Sequence, residues 1–251
     1  RPTGAALTAA LQSGEPTAAI RQVQAFLEIS PNSPKAMELL GASCSTAQRH
    51  EEAAEAYSAA VRLNPSDIGC VAAAAKAFRA AGEPAKAKAC CQAYVDAWPT
   101  DPRGHLLLGD TLLADDGAAE ARREFDEALR LAPDSLDALR RLVRVCIGQG
   151  AFGGGIEACE AYLKRHPEDA RAWHLLAGPH AAKGGLADAQ RCLARALRLD
   201  GDLVQARFDL GNIHLRRKDY GRAIEHFEAV AERRPSDARA LNNLAWCLAE
   251  T

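Results

Sequence analysis

Residues 208–237 read FDLGNIHLRRKDYGRAIEHFEAVAERRPSD, two amphipathic stretches that flank a polar turn and end close to a proline, Pro235. Working back from Pro235, a proline recurs at a spacing of 34 residues, and Gly201 stands at the one position where it is missing. The other prolines of the series are Pro31, Pro65, Pro99, Pro133 and Pro167. A fixed period of this length is typical of a solenoid of stacked repeats, each packing only against its neighbours.

The period also numbers the positions. With Pro34 as place 1 of a 34-place repeat, the complete repeats are 34–67, 68–101, 102–135, 136–169, 170–203 and 204–237. Residues 1–33 fit an earlier repeat without its first place, and 238–251 begin a further one. Each repeat has two amphipathic patterns, which predict two helices joined by a short turn. In the first complete repeat we expect the helices near residues 35–48 and 51–63, and the turn is often marked by glycine: Gly14, Gly82, Gly150 and Gly184.

Small residues at two places predict that the helices of each repeat pack closely. Place 20 carries alanine at Ala19, Ala53, Ala87, Ala121, Ala189 and Ala223, and place 8 carries glycine at Gly41, Gly109 and Gly211. Place 24 should fill the space on the same face, with Val23, Tyr57, Cys91, Phe125, Cys159, Leu193 and Phe227. This pattern favours an all-α architecture.

The chain resembles the tetratricopeptide repeat (TPR) family, whose pattern is W-x2-L-G-x2-Y, then A-x3-F, then P. Trp173 and Leu176 match its first part, and Leu210-Gly211, Ala223, Phe227 and Pro235 match it through one whole repeat. The resemblance implies an all-α α-solenoid, a right-handed superhelix of stacked antiparallel helix pairs, formed as one array over residues 1–251. Because the chain begins without Met and ends inside a repeat, we interpret it as a fragment of a longer protein.

Two repeats depart from the pattern. In 136–169 the alanine of place 20 is replaced by Gly155, within Gly153-Gly154-Gly155, which indicates a frayed helix end or a hinge. In 170–203 Pro179 falls inside the first helix, so we expect that helix to kink or to begin late. The least regular stacking should therefore lie near residues 148–185.

Composition excludes several classes of function. The formal net charge of −2 does not indicate nucleic-acid binding, which normally requires a basic domain. No stretch is apolar over the length of a membrane span, and no signal peptide is recognisable. Eight cysteines without a disulfide framework favour buried free thiols and a cytoplasmic location, although a periplasmic or anchored parent protein stays open.

No residue set indicates chemistry. His180, His214 and Cys146 share place 11 of successive repeats, too far apart to bind one metal ion, and core packing is the better interpretation. There is no C-x-x-C, phosphate loop or nucleophile elbow. We therefore predict no metal, no cofactor and no enzymatic activity.

In the TPR family, places 2, 5, 6, 9, 12 and 13 of the first helices typically face a concave groove. Here these places carry eleven basic residues and five acidic ones, an excess of six positive charges in a chain of net charge −2. The basic ones are Arg1, Lys35, Lys76, Arg79, Arg103, Arg140, Arg141, Arg144, Arg171, Arg216 and Arg239. The acidic ones are Glu38, Asp110, Asp137, Asp209 and Glu250. A basic groove attracts an acidic partner, and arginine binds carboxylates through two hydrogen bonds.

The candidate partner-binding residues are Lys76, Arg79, Arg103, Arg140, Arg141, Arg144, Arg171, His174, Phe208, Asn212, Asn242 and Asn243. The family's carboxylate clamp is incomplete, because Phe208 stands where its first lysine is expected. Phe208 and the three asparagines are instead expected to form a polar and aromatic end of the groove. The alternative is a solvated face with no binding role.

The main functional hypothesis is a non-catalytic scaffold or adaptor that binds a protein or peptide segment, acidic or extended, in the groove. One alternative is the substrate-recognition arm of a larger enzyme, such as a transferase whose catalytic domain is absent. Another is self-assembly through the unfinished repeat 238–251, whose apolar face carries Leu241, Leu244, Ala245 and Leu248.

Overall fold

A computed structural model describes residues 16–251, where the chain forms fourteen α-helices and no strand. Arg1 and Gly14, which the sequence assigned to the groove and to a turn, lie outside the described residues. The helices are α1 (Pro16–Ile29), α2 (Pro34–Thr46), α3 (His50–Leu63), α4 (Ile68–Ala80), α5 (Pro84–Ala97), α6 (Pro102–Ala114), α7 (Ala118–Leu131), α8 (Leu136–Gly148), α9 (Phe152–Arg165), α10 (Ala170–Ala182), α11 (Leu186–Leu199), α12 (Val204–Arg216), α13 (Tyr220–Arg233) and α14 (Ala238–Ala249).

The helices follow the 34-residue period. From residue 34 to 237 every first helix has 13 residues and every second helix has 14, and the two pack against each other within each repeat. The expected helix pairs and the all-α fold class are confirmed. The contacts divide the chain into two compact units, 1–132 and 133–251. The described part of the first contains α1–α7, and the second contains α8–α14.

The turn between the two helices has the same backbone conformation in six repeats. Place 15 is left-handed each time, with φ between 58° and 92°. Glycine occupies it at Gly82, Gly150 and Gly184, and Gln48, Asp116 and Lys218 occupy it elsewhere. Glycine reaches this region without steric cost, which explains why it recurs there.

The small residues expected at places 8 and 20 lie where the two helices of a repeat pack against each other. All six alanines of place 20 are buried, as are the seven residues of place 24. A Cβ atom added to Gly211 would lie 2.8 Å from the Phe227 ring, and one added to Gly109 would lie 2.5 Å from Phe125. Glycine at place 8 therefore makes room for the ring at place 24 of the same repeat.

Most first helices begin with a side-chain cap at place 34. The oxygen atoms of Ser33, Asp67, Asp101, Ser135, Asp169 and Asp237 accept hydrogen bonds from backbone N–H groups of the next helix. Such caps satisfy amide groups that have no partner inside the helix. Leu203, before α12, provides no side-chain cap.

One part of each expectation about the two irregular repeats is wrong. Helix α9 begins at Phe152 and includes Gly153, Gly154 and Gly155, so the glycines do not leave its start frayed. Helix α10 begins at Ala170, capped by Asp169, and continues past Pro179, so it does not begin late. The two departures face each other, because a Cβ atom on Gly155 would lie 3.6 Å from the Pro179 Cβ atom.

All eight cysteines are free, and all are buried except the half-buried Cys90. Burial raises the pKa of the Cys159 thiol to about 12 and that of Cys90 to about 11. Cys91 lies 3.4 Å from the Thr111 hydroxyl, sulfur to oxygen. The interpretation of the thiols as packing residues is confirmed. Between residues 16 and 251, none of the helices is long and apolar enough to span a membrane.

Candidate partner-binding face

The candidate residues lie on the first helices of the repeats. We call the surface formed by places 2, 5, 6, 9, 12 and 13 the first-helix face, and describe it separately for the two units. In the first unit Lys76 is exposed on α4. Arg79 Nε lies 3.7 Å from the Asp115 carboxylate, and Arg103 Nη2 donates to Asp101 at 2.7 Å. Two of these three cations therefore have carboxylate partners within their own unit.

The arginine cluster of the second unit is on α8. Arg140 and Arg141 both pair with Asp137, Arg141 at 2.9 Å, and Arg144 is exposed. The Arg141 side chain is only 24% exposed. Burial, together with the neighbouring Arg144, lowers the pKa of the Arg141 guanidinium. One carboxylate thus serves two of the three arginines.

These pairs reduce the basic excess of the face. Asp101, Asp115 and Asp237 pair with groove arginines but occupy places 14 and 34, outside those counted from the sequence. Exposed ion pairs contribute about 0–1 kcal/mol, so a partner's carboxylate can replace them. Most basic side chains of the face are therefore paired with carboxylates of the same chain.

Two arginines of the second unit have no such neighbour. Within the described residues, the side chains of Arg171 on α10 and Arg216 on α12 form no ion pair and no hydrogen bond. Both are exposed. Each can therefore bind a carboxylate without first giving up a contact in the chain.

A polar pair joins α10 to α12. His174 Nε2 donates to the Asp209 carboxylate at 2.7 Å, and Gln205 Nε2 donates to the other oxygen of Asp209 at 3.1 Å. Both oxygens of Asp209 therefore accept hydrogen bonds from side chains of the same face.

A second polar pair joins α12 to α14. Asn243 Nδ2 donates to Asn212 Oδ1 at 2.8 Å. Asn242 is exposed beside it. With Asn212 and Asn243 paired in this orientation, the Asn212 amide N–H group and the Asn243 carbonyl oxygen stay available to a peptide backbone.

The expectation for Phe208 is not met. Phe208 is only 8% exposed, and its ring centroid lies 5.7 Å from that of Phe227. The Arg239 guanidinium lies 5.0 Å from the Phe208 ring centroid and is also hydrogen-bonded to Asp237. Phe208 belongs to the core beneath the face and offers no aromatic surface to a partner.

An aromatic residue that the sequence interpretation missed is exposed instead. Trp246 on α14 is 50% exposed, and its ring centroid lies 5.9 Å from that of Tyr220 in a T-shaped contact. It occupies place 9, as Arg144 and Asn212 do in other repeats. Applying the groove places to the last helix without restricting them to charged residues would have found it.

The face of the second unit contains two cavities. One, between α8 and α10, has a volume of about 540 Å³ and is lined by Leu136, Asp137, Arg140, Arg171, His174, Leu175 and Leu203. The other, between α10 and α12, has a volume of about 270 Å³ and carries Asp209, Asn212 and Arg216 at its polar side. His174 lines the first and Asp209 the second, so their hydrogen bond lies between the two.

The histidines and the cysteine that share place 11 are not gathered at one site in the described part of the chain. Over residues 16–251 there is no group of three or more His, Cys, Asp or Glu side chains placed to hold a metal ion. His214 is buried, with Nδ1 at 3.2 Å from Asp219, and stacks on His226 with ring centroids 5.4 Å apart. Cys146 is fully buried. The packing role expected for His214 and Cys146 is confirmed.

Comparison with known families decides the assignment. A tetratricopeptide repeat model matches residues 5–68, 72–135, 179–230 and 219–251, and a second one matches residues 112–178. The chain belongs to the tetratricopeptide repeat family. Proteins of this family are typically non-catalytic, and membership supports a general role of this TPR chain as a scaffold for protein–protein interaction.

Relatives of the TPR chain extend beyond it. It is 29% identical over 156 residues to "Anaphase-promoting complex subunit 7" of Arabidopsis thaliana, covering 61% of this chain and 27% of that protein. It is 29% identical over 213 residues to "Cellulose synthase operon protein C" of Xanthomonas axonopodis pv. citri, covering 80% of this chain and 13% of that protein. The chain therefore spans less than a third of either curated relative.

A solved structure shows the same fold. The C-terminal part of a TPR repeat-containing protein from Cytophaga hutchinsonii matches with a TM-score of 0.65 at 13% identity, covering 95% of this chain and 98% of that one. At this identity the likeness concerns the fold alone.

Proposed function

We propose that the first-helix face of the second unit binds an acidic, extended segment of a protein partner. The observation that carries this proposal is the pair of exposed arginines, Arg171 and Arg216, that have no partner among the described residues and line the two cavities. Guanidinium groups bind carboxylates through paired hydrogen bonds, which favours acidic side chains or a terminal carboxylate.

The neighbouring residues support the same partner chemistry. Arg140, Arg141 and Arg144 add positive charge on α8, where Arg140 and Arg141 pair with Asp137. The amides of Asn212 and Asn243 can hydrogen-bond an extended peptide backbone. On the first unit, taken by itself, Lys76, Arg79 and Arg103 add positive charge to the first-helix face, and Arg79 and Arg103 share theirs with Asp115 and Asp101.

The proposal is tested with a random peptide library displayed on phage, selected against the 251-residue chain. We expect enrichment of Asp and Glu, and binding of the selected peptides that weakens with added salt. Replacing Arg140, Arg141 and Arg144 with Ala should weaken binding roughly tenfold or more, equivalent to about 1.4 kcal/mol.

Helix α11 offers a matched control. Arg191, Arg195 and Arg198 are three arginines of the same unit that lie outside the first-helix face. Replacing all three with Ala removes the same charge and should leave the affinity nearly unchanged. Equal losses in the two triple variants would show a non-specific charge effect and contradict the proposal, as would selection without acidic residues.

A second candidate function is self-association through α14. Leu241, Trp246 and Leu248 are between 41% and 55% exposed on this one helix, and exposed apolar clusters commonly mark interaction sites. A second copy of the chain could cover them with an equivalent apolar surface. The oligomeric state of surface variants tests this candidate, as described in the Discussion.

We also infer that the protein works in a reducing compartment such as the cytoplasm. All eight thiols are free, and proteins of oxidising compartments commonly pair theirs. Fractionation of the source cells checks the inference, and recovery from an oxidising compartment would overturn it.

A further inference from the structure

The cavity between α10 and α12 has an apolar floor. Ala177, Gly178 and Ala181 of α10 form one side, and Leu193 and Ile213 close it from the neighbouring helices. Polar groups occur only at Asp209, Asn212 and Arg216. A cavity of this character suits an aliphatic group with a charged group beside it.

The cavity exists because α10 lacks side chains that its neighbours have. At places 9 and 12, α8 carries Arg144 and Ile147, and α12 carries Asn212 and Leu215. The same places on α10 are Gly178 and Ala181. The repeat 170–203 therefore leaves a hollow on the first-helix face where the adjacent repeats present larger side chains.

The space is sufficient for a side chain. The cavity volume is about 270 Å³. By comparison, an engineered apolar cavity of about 150 Å³ holds a benzene molecule. An aliphatic side chain of the size of leucine, isoleucine or methionine therefore fits, and burying it removes apolar surface from water on both molecules.

The charges at the edge define what flanks this side chain. Arg216 has no ion-pair partner among the residues that the structure describes, so it favours a carboxylate next to the inserted group. The two oxygens of Asp209 accept hydrogen bonds from His174 and Gln205, so Arg216 is the group at this edge that can bind a carboxylate. The amide of Asn212 lines the same edge.

We infer that this cavity is a specificity site that receives one aliphatic side chain of the bound segment, with an acidic residue adjacent to it. The inference rests on the proposed function, because it assumes that the segment runs along the first-helix face. It adds a sequence requirement that general attraction between opposite charges does not supply: without the aliphatic residue, acidic segments bind weakly.

Ala181 gives a direct test. Replacing Ala181 with Leu places an aliphatic side chain of the chain itself in the cavity. Ala187 on α11 is the matched control, since it is exposed, absent from the lining and outside the first-helix face. Circular dichroism should show that both variants, A181L and A187L, retain the helical fold.

The readout is the random peptide library described above, selected against the wild-type chain and both variants. We expect wild-type and A187L to enrich peptides with one Leu, Ile or Met next to Asp or Glu. We expect A181L to keep the acidic preference and lose the aliphatic one. In fluorescence anisotropy, a selected peptide should bind A181L roughly tenfold more weakly, and the same peptide with its aliphatic residue replaced by Ala should bind wild type and A181L alike.

The possible outcomes distinguish the cavity assignment from the proposed function. Acidic enrichment without an aliphatic position, or equal selection by A181L and wild type, would overturn the cavity assignment and leave the proposed function standing. Absence of acidic enrichment would overturn both. If A181L does not fold, the peptide with Ala in place of its aliphatic residue tests the assignment on the wild-type chain: unchanged affinity would overturn it.

Discussion

At the scale of single residues, the side chains at places 8 and 24 of one repeat compensate each other in size. Gly41, Gly109 and Gly211 face the rings of Tyr57, Phe125 and Phe227. Where place 8 carries Ala75 or Val143, place 24 carries the smaller Cys91 or Cys159. Close packing requires this compensation, because protein interiors leave few voids and tolerate little overlap.

We expect Gly211→Ala to destabilise the protein. The new Cβ atom would lie 2.8 Å from the buried Phe227 ring, and overpacking of this kind costs roughly 1–3 kcal/mol. Gly155→Ala is the control, since its Cβ atom would have only ordinary contacts, 3.4 Å or longer, and alanine gains roughly 0.5–1 kcal/mol over glycine in a helix. Urea denaturation should move the midpoint in opposite directions for the two variants. A shift in the same direction would contradict the packing argument.

A second prediction at this scale concerns Asp101. The Arg103 guanidinium, together with the Tyr94 hydroxyl at 2.8 Å, lowers the pKa of Asp101 from 3.8 to about 2. The folded protein therefore holds this carboxylate charged more readily than the unfolded chain does. Its contribution to stability is complete above the unfolded pKa of 3.8 and is lost as the pH falls to about 2.

The variant Asp101→Asn isolates this charge, because asparagine is also a good helix cap. We expect wild type to be the more stable above pH 3.8 and the difference to shrink as the pH falls to about 2. Urea midpoints measured across this range provide the check. A difference that is independent of pH would show that the charge of Asp101 plays no part.

At the scale of helices, α12 begins unlike the other first helices that the structure describes. Its cap position holds Leu203, which lines the cavity between α8 and α10. The same repeat end has Gly201 in place of the periodic proline. A residue that would stabilise the helix start is thus replaced by one that forms part of the candidate binding face.

Leu203→Asp should stabilise the second unit. A side-chain cap contributes typically about 1 kcal/mol, and the equivalent aspartates Asp169 and Asp237 accept backbone hydrogen bonds in the same unit. Asp237→Ala is the reverse control and should destabilise by a similar amount. Thermal unfolding of the two variants measures both effects, and a lower melting temperature for Leu203→Asp would show that the packing of Leu203 outweighs a cap.

Helix positions were predictable from the sequence, and the side-chain pairs were not. The period placed α2 and α3 within two residues of their ends, because place-specific small residues and caps repeat with the helices. The pairing of Arg79 with Asp115, or of Arg103 with Asp101, depends on side-chain conformations that periodicity does not encode. The cavity beside Ala181 could have been predicted from the sequence, since Gly178 and Ala181 are smaller than the residues at the same places of adjacent repeats.

At the scale of the whole molecule, the apolar surface of α14 bears on the oligomeric state. Its exposed leucines lie on one helix at the end of the second unit, whereas Ile29 is the one exposed large apolar residue on the described helix α1 of the first unit. If the second candidate function holds, the chain associates through α14 at high concentration.

The variant with Leu241→Glu and Leu248→Glu should then be less associated than wild type in light scattering at equal concentration. Ile29→Glu, which changes an even more exposed apolar residue elsewhere, should behave as wild type. A strictly monomeric wild-type chain would remove self-association as a function of this surface.

The eight thiols are divided equally between the two units. Cys44, Cys70, Cys90 and Cys91 lie in the first, and Cys146, Cys159, Cys192 and Cys247 in the second. An alkylating reagent needs both access and a thiolate, and burial withholds both. Labelling of each cysteine therefore measures how often its own repeat opens, with Cys90 expected first and Cys159 among the last. The native cysteines thus allow local unfolding to be timed at several points along the solenoid without any substitution.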